Sequence, residues 1–168
     1  MTTQYDVKAS HLSGSGLMVS GRVRLKNLVY LGTGTAGGID LFDTTTAPVA
    51  ATYARSAYTV TVTKVGHGLT TGQTVGITFA AASNVSATAG TYVITVLTAD
   101  TFTITDLNTG TIAGGTACTY STGRWLVGYN TSTGVQPFQV ILPGEGVLAQ
   151  NGIYAVVTNI VFQTAHYG

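Results

Sequence analysis

Threonine and apolar residues alternate with period two in several segments, and this most constrains what the chain can fold into. Thr59-Val60-Thr61-Val62-Thr63, Thr74-Val75-Gly76-Ile77-Thr78-Phe79 and Thr101-Phe102-Thr103-Ile104-Thr105 each repeat it. In an extended chain successive side chains point to opposite faces, so each segment gains one apolar face and one hydroxyl or glycine face. Coiled into a helix, the same residues would spread apolar groups around the axis. Their β-branched and aromatic side chains also suit a pleated, half-buried surface. No sustained i, i+3, i+4, i+7 apolar pattern competes. The longest candidate helical turn, Glu145–Gln150, carries a weakening Gly146. An all-β chain is expected.

Composition narrows the function classes. Of 168 residues only 8% are charged, against about 25% in an average soluble domain. Glycine (22) and threonine (31) supply nearly a third of the chain. A net charge of +1 gives no global field for nucleic acid or an anionic membrane, so neither is expected as a partner. With 45% apolar residues the chain is no disordered segment. No apolar run approaches the roughly 18 to 20 residues of a membrane-spanning helix, and the polar start Met1–Asp6 lacks the apolar stretch of a signal peptide. Cys118, the one cysteine, has no internal disulfide partner.

Turn residues divide the alternating pattern into strands. One is expected over about Leu17–Leu31, another over Ile39–Asp43, and Thr44–Pro48 leads into a loop. The threonine-rich texture then runs from Tyr58 to Tyr120, with strands over Tyr58–Thr63, Thr74–Phe79, Thr91–Val96, Thr101–Thr105 and Thr116–Tyr120, and a small-residue loop over Ala80–Gly90. Lys64, Asp100 and Asp106 are its only charges. The first texture resumes with Trp125–Tyr129, Phe138–Leu142, the tight turn Pro143-Gly144-Glu145-Gly146, Gly152–Thr158 and Ile160–Ala165. The simplest organisation is a jelly-roll-like β-sandwich host domain in two pieces, 1–57 and 122–168. A small β-barrel, 58–121, is inserted at an exposed loop, where long insertions are tolerated.

Residues able to do chemistry are few. The histidines His11, His67 and His166 and the six carboxylates show no metal-ligand spacing, so no metal or cofactor is expected. Asp40 and Asp43, three apart on a strand, point to opposite faces and read as turn polarity better than as a calcium pair. Gly14-Ser15-Gly16 lacks the preceding strand of a nucleophile elbow, and the glycine run Gly32–Gly38 lacks the helix and lysine of a phosphate loop. His67, between two glycines, reads as a turn residue capping a backbone group. No catalytic residue is assigned, and the chain is not expected to be an enzyme. Arg22, Arg24 and Lys26, spaced by two, form a cationic stripe on one strand face. A solvated outer face and a docking face for an acidic partner surface both fit it.

Two resemblances then become visible. Val65-Gly66-His67-Gly68-Leu69-Thr70-Thr71-Gly72-Gln73-Thr74-Val75, Gly90-Thr91-Tyr92-Val93-Ile94 and Asp100-Thr101-Phe102-Thr103-Ile104 resemble a short β-barrel module of phage tail and virion proteins. That module is named for its likeness to the first catalytic cysteine half-domain of ubiquitin-activating enzymes. Gln73 stands where the module usually has an acid. Asp6–Ser10, Gly21–Lys26, Leu142–Val147 and His166–Gly168 resemble segments of small virion proteins of marine, T7-like tailed phages, which typically lack an insert.

These resemblances imply a virion structural protein. The expected role is a homo-oligomeric capsid decoration or cement subunit, for which a trimer is one arrangement. It would dock on the major capsid protein or other virion proteins through Arg22, Arg24 and Lys26, with the inserted module as an outward knob. A tail fibre or adaptor subunit touching the host surface, or a carbohydrate-binding module for a host glycan, are the alternatives.

Overall fold

A computed structural model describes residues 7–80, 86–131 and 133–168. Among them there are fourteen strands and no helix. The chain divides into two compact units, Met1–Ala47 with Leu126–Gly168, and Pro48–Trp125.

The first unit is a sandwich of two antiparallel sheets. It begins with β1 (Lys8–Leu12), β2 (Gly16–Ser20), β3 (Val23–Gly32) and β4 (Gly37–Asp43). The single strand expected over Leu17–Leu31 is two, because Gly21 takes a left-handed φ of 85° and turns the chain from one sheet into the other. The second unit supplies β5 (Val49–Thr63), β6 (Thr74–Phe79), β7 (Gly90–Val93), β8 (Thr95–Thr98) and β9 (Thr101–Ser121). The sandwich then resumes with β10 (Trp125–Thr131), β11 (Pro137–Ile141), β12 (Val147–Ala149), β13 (Gly152–Thr158) and β14 (Ile160–Tyr167). The candidate helical turn Glu145–Gln150 is therefore turn and strand. One sheet runs β1-β14-β3-β11 with β12 also on β3, and the other runs β10-β4-β13-β2. Leu25, Leu28 and Tyr30 of the first pack against Ile39, Leu41 and Ile153 of the second. All six are at most 2% exposed.

The second unit is one sheet, β5-β9-β6-β7, with β8 also on β9. Its alternation works as the sequence indicates. Thr59, Thr61 and Thr63 face Thr105, Thr103 and Thr101 across the β5–β9 pair, while Val60 and Val62 face Ile104 and Phe102. The apolar set enters a core with Val75, Ile77 and Tyr120, and the threonines stay outside as a cross-strand ladder. Two expectations change. The strands expected at 101–105 and 116–120 are one 21-residue strand, β9, whose glycine-rich middle stays paired to β5 through register shifts. Because β9 takes β8 along its first residues and β6 along its last, the sheet is open and not the closed barrel expected. The strand expected over Thr91–Val96 breaks at Ile94, and part of the expected loop Ala80–Gly90 (81–85) lies outside the described residues.

Pairing also moves the division between units. β5 starts at Val49, opposite Tyr120 of β9, so a boundary at 57/58 would cut through a strand. At the other end β10 lies beside β4, with Gly38 against Tyr129 and Asn130. Excising 48–124 thus leaves two neighbouring strands to be joined by a short loop. With a short glycine-containing link replacing 48–124, the remaining chain is expected to give a β-type circular dichroism spectrum and a cooperative melt. An aggregated product would contradict a self-sufficient sandwich.

Candidate docking face

β3 enters its sheet at Val23 with neighbours on both sides. Arg24 exchanges backbone hydrogen bonds with Gly168 (N–H to O 3.0 Å, and 3.2 Å in return), just past β14. On the other side β12 sets Val147 opposite Leu25 and Leu148 opposite Arg24. The Leu142 N–H donates to the Lys26 carbonyl at 3.0 Å, and the Gly146 N–H closes the turn on the Pro143 carbonyl at 3.2 Å. β1 adds Lys8 opposite Tyr167 and Ala9 opposite His166. Segments near residues 8, 24, 145 and 167 therefore meet at one end of one sheet. Asp6 lies outside the described residues.

The three flagged cations all reach the segment 145–150. Arg24 Nε lies 3.4 Å from Glu145 Oε2, Lys26 Nζ donates to the Glu145 carbonyl at 2.9 Å, and Arg22 Nε donates to Gln150 Oε1 at 3.2 Å. Arg24 and Lys26 belong to β3, whereas Arg22 sits in the turn before it. The Glu145 side chain is 80% exposed, so its ion pair contributes at most about 1 kcal/mol. Glu145 nevertheless meets two cations, Arg24 through its carboxylate and Lys26 through its backbone carbonyl.

Asp43 corrects an expectation. It does not serve as surface polarity, because it is 3% exposed and accepts from the backbone N–H groups of Gln150 (3.0 Å) and Asn151 (2.7 Å). A buried carboxylate thus fixes the turn that follows β12. Asp40 is partly exposed on the same strand, and no group of three or more metal-ligating side chains occurs among the described residues.

In the second unit His67 does what its glycine neighbours suggest. Its Nδ1 accepts from the Leu69 N–H at 3.0 Å, Nε2–H donates to the Thr98 carbonyl at 3.1 Å, and the ring sits edge-on to Phe102. Gln73 Oε1 accepts from the Thr70 N–H at 3.2 Å, a bond a carboxylate oxygen would make equally well. The departure from the module's pattern therefore leaves the turn intact.

Cys118 is 4% exposed, and burial pushes its thiol up to about 12. A thiol so held is the opposite of an activated nucleophile. Burial likewise raises Tyr53, Tyr120 and Tyr92, the last to about 12. An acid whose folded pKa is raised gives full stability below its unfolded value and loses it as pH rises toward the folded one. The folded protein is expected to resist a thiol-reactive disulfide reagent at pH 8. Its urea midpoint should fall steadily above about pH 9 to 10. Rapid labelling without unfolding would contradict this burial.

Sequence reasoning missed one pair. Arg55 and Asp106 are 0% and 1% exposed in their side chains and 3.1 Å apart (Nη2 to Oδ2). Arg55 also donates to the carbonyls of Ala57 (3.1 Å) and Ser86 (3.0 Å), and Asp106 accepts from the Thr88 N–H at 3.0 Å. The signal was present: position 106 has the inward parity of Phe102 and Ile104, and a carboxylate pointing inward needs a cation.

No protein-family model and no curated protein sequence matches this chain.

Proposed function

We propose that this chain is a non-enzymatic structural protein of a tailed-phage virion, a decoration or cement subunit that binds the assembled capsid. One observation carries the reading. The segments in which the chain resembles small virion proteins are far apart in sequence, yet they meet at one end of one sheet. A resemblance scattered by chance over the chain has no reason to converge on one surface. That surface holds Arg22, Arg24 and Lys26 beside the Leu142–Val147 turn, as a docking face for the major capsid protein or another virion protein requires. Scarce charge fits as well, since a subunit fixed in an assembly, alone or as a homo-oligomer, has little need of charge to stay dispersed.

The mechanism is linkage. A protein that binds the closed shell and not its separated subunits stabilises the shell by RT ln(1 + [L]/Kd), about 2.7 kcal/mol per site at a hundredfold excess over Kd. Purified chain is expected to co-sediment with capsids lacking it, to raise their melting temperature, and to ignore unassembled capsid subunits. Binding to tail structures alone would favour the tail fibre or adaptor reading, and binding to neither would overturn both.

A further inference from the structure

The sandwich core uses only one face of the β1-β14-β3-β11 sheet. Leu28 and Tyr30 of β3 and Phe138 and Val140 of β11 point into it. The residues alternating with them form rows on the other face, where Leu31 lies beside Pro137, Val29 beside Gln139 and Asn27 beside Ile141. β14 extends these rows with Phe162, Thr164 and His166. None of these side chains is an acid, lysine or arginine, and Ile141 is 72% exposed.

One irregularity joins this face to the cations. Leu25 and Leu28 are both fully buried although three residues apart, and the β14 register shifts between His166 and Tyr167 at that point. The extra residue of this bulge turns Lys26 and Asn27 outward together. Arg24 and Lys26 thereby continue these uncharged rows on the same face. With exposed Arg22, three cations stand at this end, and Glu145 is the exposed carboxylate beside them among the described residues.

We propose that this outer face docks a different protein, one whose complementary surface is an apolar patch bordered by carboxylates. The inference rests on the virion reading above and names the chemistry of the surface that reading requires. Charge selects the occupant. An isologous contact with a second copy would set cations against cations or against uncharged rows, and neither is complementary. A nucleic acid would want cations along its whole track, whereas here half the face is aliphatic and aromatic.

The test uses the isotope-labelled full chain and soluble probes, so it needs no virion. A random glutamate–leucine copolymer is expected to shift the amides of Lys26–Leu31, Phe138–Ile141 and Thr164–His166. Its binding should weaken about tenfold between low salt and roughly 0.5 M NaCl. Poly-L-glutamate, which lacks apolar groups, and oligothymidylate should bind more weakly. Ile141→Asp and the paired Arg24→Glu, Lys26→Glu variant, each checked for an unchanged melt, should lose the copolymer, while Leu107→Asp in the second unit should not. The proposal is overturned by shifts elsewhere, by no copolymer binding, by tighter binding of oligothymidylate, or by the same shifts arising from self-association without a probe. If the chain decorates capsids but the face variants still bind, this inference fails and the virion reading survives. If the copolymer binds at this face but capsids are ignored, only the virion reading fails.

Discussion

Asp106→Ala is expected to destabilise the second unit by about 3 to 5 kcal/mol, the loss typical of removing one partner of a buried ion pair. Arg55 is fully enclosed, so without Asp106 its charge would stay buried without its carboxylate, beside the carbonyls of Ala57 and Ser86. The Thr88 N–H would lose its acceptor as well, loosening the tie between β9 and the segment leading into β7. Replacing both members by apolar residues, Arg55→Met with Asp106→Leu, should recover much of the loss, because no charge then remains to be solvated. Recovery should be incomplete, since the carbonyls of Ala57 and Ser86 lose their donor. Urea unfolding followed by the emission of Trp125, the only tryptophan, measures all three chains. A loss under 1 kcal/mol in Asp106→Ala would contradict the pair's burial. Burial pushes the Asp106 carboxyl up, yet the Thr88 hydrogen bonds and the Arg55 charge outweigh this and hold it below its ordinary value. With a lowered folded pKa, its stabilisation is present above the unfolded value and is lost only as pH falls below about 4.

Gly146→Ala is expected to cost about 3 kcal/mol or more and to dismantle the docking end. Gly146 has a left-handed φ of 75°, and a Cβ there would stand 2.1 Å from the Leu25 carbonyl oxygen. That oxygen belongs to β3 backbone and cannot swing aside as a side-chain tip could. The turn would have to move, taking Glu145 from Arg24 and Lys26 and disturbing the β12–β3 pairing. Gly144→Ala is the control: its φ is also left-handed, at 62°, but no atom stands within 4 Å of the added Cβ, so only conformational strain remains. The prediction is a large loss at 146 and a loss of about 1 kcal/mol at 144, read from thermal melts. Equal effects would show that the turn does not press on β3.

The sequence carried the strands where one face is apolar and the other is not. Val60, Val62, Phe102 and Ile104 lie inside and their threonine neighbours outside, as alternation requires. The split of Leu17–Leu31 was less legible, because residues on both sides of Gly21 alternate well and only the glycine's dihedral reveals the change of sheet. The single long β9 was hidden because Gly110, Gly114 and Gly115 read as a loop, while the strand carries them through shifts in its register with β5, Gly115 with a left-handed φ of 95°. Arg22, Arg24 and Lys26 were visible as a stripe, but their tie to Glu145 and Gln150 was not. It depends on chain segments more than a hundred residues apart meeting at β3. Arg55 was assigned to the wrong unit for a related reason: nothing local to it shows that β5 begins at Val49.

The central claim, that the chain coats a capsid, is tested most directly by counting its copies per purified particle by quantitative mass spectrometry. A decoration subunit follows the capsid lattice, so the account predicts on the order of hundreds of copies. A count of about a dozen or fewer, as a tail ring or fibre would give, or complete absence from the particle, would contradict it.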